Sequence, residues 1–172
     1  MLFARFSPLF ASAASVAFAA AILAGCSTSS GSPGSPIDAG TSDSVVSCQN
    51  DSRVDQYVAN LAKASSDGAL KVTLVSSDPA PPAVGTNTWT IKVTDGTGAP
   101  MSNAPIKLDP FMPDHGHGTS VEAGIAAQPD GAYTITNLYL FMPGVWRLTF
   151  SLPGAPDAGP GPSVQFFFCV SG

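Results

Sequence analysis

The sequence predicts an all-β fold, an immunoglobulin-like antiparallel β-sandwich of about seven strands with one short N-terminal helix. Three observations predict it. From residue 70 to the C-terminus, apolar and polar residues alternate over short runs. Turn pairs separate the runs: Asp78-Pro79, Asp95-Gly96, Asp130-Gly131, Pro143-Gly144 and Pro153-Gly154. Aromatic residues make up 9% of the chain and supply bulk for a core, while charged residues are only 11%. A single sheet with these patterns would leave its apolar face wet, so two packed sheets are expected.

The chain begins with an address. Residues 1–25 read as a lipoprotein signal peptide, with Arg5 as the positive n-region and an apolar run from Ala14 to Leu23. That run is too short to span a bilayer comfortably. Leu23-Ala24-Gly25-Cys26 resembles a lipobox, which makes Cys26 the acylated residue. Each buried methylene of an acyl chain contributes about 0.8 kcal/mol, so two or three chains hold a protein on a membrane. In lipoproteins of this kind a residue other than aspartate after the cysteine, here Ser27, permits export to the outer membrane. The expected location is the cell envelope, lipid-anchored to the outer membrane and facing the periplasm, with the membrane as a partner.

Residues 26–47 comprise the lipidated cysteine and a tether of Ser, Thr, Gly, Pro, Ala and Asp, interrupted by Ile37, Val45 and Val46. Such a composition buries too little surface to offset its ordering entropy. As a flexible coil it has an r.m.s. reach on the order of 25 Å. Residues 48–172 then form the folded domain.

One helix is expected over 53–65. Ser52-x-x-Asp55 resembles a capping box, Val54, Tyr57, Val58 and Leu61 share one helical face, and Gly68 offers a stop. After Gly68 the period becomes two. Leu70, Val72 and Leu74 open the series, followed by Trp89, Ile91 and Val93 and by Ile106 and Leu108. Val121, Ala123 and Ile125 form a weaker set, and Tyr133 and Ile135 the next. Trp146, Leu148, Phe150 and Leu152 precede a last run of Val164, Phe166, Phe168 and Val170. On that last strand Phe167 and Cys169 point away from Phe166 and Phe168, so its second face needs a cover. The helix is expected to supply it.

The remaining cysteines, Cys48 and Cys169, bracket the domain. With Cys26 given to lipid, an even pair in an oxidising compartment favours a disulfide. Closing a loop of roughly 120 residues, it would add about 4–5 kcal/mol in the chain-entropy model. No Cys-x-x-Cys or Cys-His spacing suggests a metal role for either.

Phe111-Met112-Pro113-Asp114-His115-Gly116-His117-Gly118 holds both histidines of the chain. Two His at i, i+2 in an extended segment project to one side, within reach of one ion. Imidazole suits copper, zinc and nickel, and a thioether such as Met112 favours Cu(I). Asp114 could ligate a harder ion or orient a His ring. Met142, in Phe141-Met142-Pro143-Gly144, is a candidate fourth ligand. The bland reading is a solvated glycine-rich loop with two methionines in the core.

Several motifs carry a resemblance: Gly85-x-Asn87-x-Trp89, Asp95-x-x-Gly98-x-Pro100, Met112 to Gly118, Asp130-Gly131-x-Tyr133 and Phe141-Met142-Pro143-Gly144-x-Trp146. In this order, over roughly residues 70–170, the chain resembles the YtkA-like/FixH-like family. The resemblance implies a small extracytoplasmic β-sandwich, often lipid- or membrane-anchored. It also implies copper handling, or assembly of copper-containing oxidases, as the setting for several relatives. Copper at Met112, His115, His117 and Met142 is what it implies for this chain, with a copper-acceptor protein as partner.

Other functions fit poorly. The net charge is −5 and no Lys/Arg cluster exists to neutralise phosphates, so no nucleic-acid partner is expected. A blue-copper centre needs a free Cys thiolate beside two separated His. Gly-x-Ser-x-Gly is absent. Asp109, Asp114 and Asp130 lie in turns, where Asp serves the backbone, rather than forming a glycosidase pair. Two His with Asp114 could hold a catalytic zinc, but no general base follows. No enzyme is expected. Two readings remain: a copper-binding envelope lipoprotein, and a non-metal immunoglobulin-like interaction or structural module on a lipid anchor.

Overall fold

The computed structural model describes residues 48–154, 156–157 and 159–172. The signal peptide over 1–25, the lipidated Cys26 and the tether over 26–47 lie outside the described residues.

Alternation builds two antiparallel sheets. The first has five strands in the order β1-β2-β3-β7-β6: β1 Leu61–Ala64, β2 Leu70–Asp78, β3 Gly85–Asp95, β7 Ala132–Leu140 and β6 Gly124–Ala127. The second has four in the order β5-β4-β8-β9: β5 His117–Gly118, β4 Lys107–Met112, β8 Gly144–Ser151 and β9 Ser163–Val170. The apolar members of each run meet between the sheets. Trp89, Trp146, Tyr133, Phe150 and Phe166 are fully buried there, among Leu70, Leu74, Ile91, Ile135 and Leu148. Burying one such side chain contributes about 1.5–3 kcal/mol, so this interface dominates the stability of the domain.

The expected strands all form, and two more join them: β1, from the segment read as helix, and β5, from the histidine turn. No helix forms over 53–65. Residues 51–60 run as an extended, turning arm, preceded only by a 3-10 turn at Cys48–Asn50. The i, i+3, i+4, i+7 spacing was real but did not mark one face. Tyr57 stacks edge-on to Phe168 at 6.3 Å, Leu61 packs on the core from β1, and Val58 is 55% exposed. Asn60 sits at φ 66°, a conformation that interrupts a helix. Tertiary partners outweigh local propensity here.

The arm nevertheless covers β9, as expected of the helix. Cys48 and Cys169 are disulfide-bonded with a Cα–Cα distance of 5.3 Å. The Asp55 amide donates to the Phe167 carbonyl at 2.8 Å, and the Phe167 amide donates to Asp55 Oδ2 at 2.8 Å. Asp55 also pairs with Lys63 at 2.6 Å. The arm thus occupies the free edge of β9, an edge that would otherwise offer unpaired backbone groups to another chain.

Candidate functional site

The histidines sit on a hairpin. Met112 ends β4, residues 113–116 turn, and His117 opens β5. The Met112 carbonyl accepts from the amides of His115 (3.2 Å) and Gly116 (2.9 Å), which fixes the turn. Gly116 adopts φ 71°, in the left-handed region that a side chain resists. Gly118 permits the close approach of β5, since a Cβ there would lie 2.5 Å from the Pro110 carbonyl oxygen.

Register decides what meets. Met112 and His117 are directly opposed across β4 and β5. Opposed residues of an antiparallel pair leave the same face of the ladder. Met112 is fully buried and His117 half-buried, while His115 is exposed at the tip. The two imidazole rings lie 5.7 Å apart, centroid to centroid, at 78°. Two imidazoles bound to one ion at about 2.0–2.1 Å would hold their centroids roughly 5–6 Å apart, so the spacing fits a shared ion.

The segment bearing Met142 arrives at the same corner. Phe141 stacks on His117 at 5.6 Å and 24°, and meets Trp146 edge-on at 5.6 Å. Trp146 Nε1 donates to the Met142 carbonyl at 3.0 Å and pins the turn into β8. Met142 is half-buried and packs against the core. At Gly144, φ 136°, an added Cβ would lie 2.7 Å from Met112 Cε, so the Met112 methyl reaches the start of β8. Met112, His115 and His117 therefore share one corner with the backbone that carries Met142.

The Asp114 carboxylate is engaged by the arm. Arg53 of the arm holds both its oxygens, Nη1 to Oδ1 at 2.8 Å and Nη2 to Oδ2 at 2.7 Å. Asp51 grips the same guanidinium from Nε at 3.0 Å and Nη2 at 2.5 Å. Hydrogen bonding to Arg53 holds the Asp51 carboxyl down to about 2 and lowers that of Asp114. The partner the structure gives Asp114 is thus the Arg53 guanidinium. Sequence reasoning missed Arg53 and Asp51, because nothing local links them to a turn 61 residues away.

The other motifs of the resemblance are architectural. The buried Asn87 carboxamide donates to the carbonyls of Ala83 (2.9 Å) and Gly85 (3.0 Å) and accepts from the Ala83 amide (3.1 Å). Asp95 Oδ1 accepts from the amides of Thr97 (2.8 Å) and Ala99 (3.0 Å), closing the turn after β3. The Tyr133 hydroxyl donates to the Met101 carbonyl (2.6 Å) and accepts from the Ala104 amide (2.7 Å). Each satisfies backbone groups that a loop would otherwise leave unpaired.

The two antiparallel sheets, with both imidazoles and the methionine-bearing segments at one end, place the chain in the class of small all-β sandwich domains. Within that class a family model described as YtkA-like matches residues 64–151, and the chain belongs to the YtkA-like family. No curated protein and no solved structure matches it.

Proposed function

We propose that this YtkA-like domain binds copper through Met112, His115, His117 and Met142 and hands it to an acceptor protein in the cell envelope, to which acylated Cys26 anchors it. The observation that carries the reading is the opposition of Met112 and His117 with His115 alongside, its ring 5.7 Å from that of His117. Among the described residues, no three His, Cys, Asp or Glu side chains form a group that would hold a metal. A site at this corner would draw on methionine sulfur beside the two imidazoles, and such a donor set favours Cu(I) over harder ions. The role is binding and delivery, not catalysis.

Competition of the full chain against a chromophoric Cu(I) chelator tests it. Replacing His115 and His117 together with Ala should abolish competition, and Met112→Leu should weaken it. Affinity unchanged by the double replacement would overturn the assignment. Anchoring is tested separately, since Cys26→Ser should stop incorporation of labelled fatty acid and release the protein from membranes.

One observation favours a second reading, a metal-free interaction module. Tyr139 and Phe141 stack at 6.3 Å while 37% and 38% exposed, and Phe141 continues the stack onto His117. Exposed aromatic groups of this kind suit a protein partner. Partner capture that survives replacement of both histidines, in protein without bound metal, would support it.

A further inference from the structure

We infer that Arg53 is a specificity-determining residue of this corner: by bonding both oxygens of the Asp114 carboxylate it occupies the hard oxygen donor next to His115 and leaves the softer set. The inference rests on the copper reading above. Asp114 immediately precedes His115 and is the sole carboxylate of the turn. Two imidazoles with a carboxylate make a set that suits Zn(II) and other divalent ions, whereas two imidazoles with thioethers suit Cu(I). Which set exists depends on where the carboxylate points, and both of its oxygens are engaged by Arg53.

The clamp is built rather than casual. The Arg53 side chain is gripped from behind by Asp51 through Nε and Nη2, and its own amide donates to Asp51 Oδ1 at 2.9 Å. The arm that carries both residues is fastened to β9 by the Cys48–Cys169 bond and by Asp55. A planar, two-pronged guanidinium suits this task in a way an ammonium does not, because it satisfies a whole carboxylate edge at once. Arg53 lies outside residues 64–151, so the clamp is added to the part of the chain that the family model covers.

The test titrates the full chain, wild type and Arg53→Gln, with Cu(I) and with Zn(II), each against a chromophoric chelator of that ion. Arg53→Gln should raise Zn(II) affinity by about tenfold, the scale at which groups behind metal ligands act, and leave Cu(I) affinity little changed. Adding Asp114→Asn should return Zn(II) affinity to the wild-type value. Arg53→Lys, which keeps the charge but loses the fork, should fall between. A merely structural role predicts the opposite signature, with both metals weakened together. Unchanged Zn(II) affinity in Arg53→Gln, or a gain that survives Asp114→Asn, would overturn the inference. Failure of the wild type to bind Cu(I), with the Zn(II) gain intact, would sink the copper reading while leaving the action of Arg53 on Asp114 supported.

Discussion

Residues 64–151 and the segments flanking them are held together by different kinds of bond. Inside the matched span, many of the polar ties are short-range. Asn87 reaches back four residues to Ala83, and Asp95 reaches forward two to Thr97. The longest side-chain hydrogen bond there, Tyr133 to Met101, crosses 32 positions, and longer links within the span are backbone pairings such as Gly85 with Leu140. The flanks are fastened over much greater distances: 121 positions from Cys48 to Cys169, 112 from Asp55 to Phe167 and 61 from Arg53 to Asp114. β9 itself lies outside the match, yet Phe166, Phe168 and Val170 complete the core. The difference teaches that the side-chain ties of the matched span mostly close turns, whereas those of the flanks close long loops.

Breaking the closures tests that contrast most directly. Replacing Cys48 and Cys169 together with Ser should lower the unfolding free energy by about 4–5 kcal/mol, because the unfolded chain regains the freedom of a long loop. Urea unfolding measures it, and a loss below about 1 kcal/mol would mean that the long link constrains little. Next comes a tie inside the matched span. Tyr133→Phe strands the Ala104 amide and the Met101 carbonyl and should cost about 1–3 kcal/mol with the disulfide intact or absent. Asp55→Ala removes the acceptor for Phe167 and the partner of Lys63, and should cost about 1–2 kcal/mol. Its cost should shrink once the cysteines are gone, since a freed arm has less to lose. Equal costs in both backgrounds would show that the arm docks without the disulfide.

The same contrast explains what the sequence made legible. Period-two alternation located the expected strands most clearly where one face is buried, as in Leu70, Val72 and Leu74 at no exposure, and least clearly at β6, where only Ile125 is partly buried. The cysteine pair was legible by elimination, once the sequence reading had set Cys26 aside for an expected lipid. The arm was not. Its apolar residues fall at helical intervals, but each finds a separate partner, and an extended segment whose bonds run to β9 has no local signature. β5 was missed because two residues are too short for any period to show. At the corner, Met112, His115 and His117 were legible in the histidine motif, and the opposition of Met112 and His117 was not, because register is a property of the folded hairpin. The guanidinium facing Asp114 is carried by a segment that local reasoning assigned to a helix.

The smallest expected effect distinguishes the two regions by acid. Asp51 is held down to about 2 from an ordinary 3.8, first by the Arg53 side-chain hydrogen bonds, and Asp114 is lowered by the same guanidinium. In the matched span Asp67 is lowered by the Ser65 hydroxyl and then the Ala69 amide, and Asp95 by the Thr97 side chain and the Thr97 and Ala99 amides. A carboxyl whose folded value is depressed contributes stability above its unfolded value, and that contribution disappears as pH falls through the folded one. All four should therefore contribute in full above roughly pH 5; Asp51 should lose its share between roughly pH 4 and pH 2, and the other three should lose theirs as pH falls below roughly 4. Arg53→Gln removes only the arm's share. The variant should melt with a shallower fall of Tm over that window than the wild type, and the two curves should converge at its acid end. Amide exchange locates the effect: in the wild type, protection at Asp55 and Phe167 should decline across the window before protection in β3 and β7. Simultaneous loss would show that the arm is no separate unit, and that turns and closures fail as one cooperative structure.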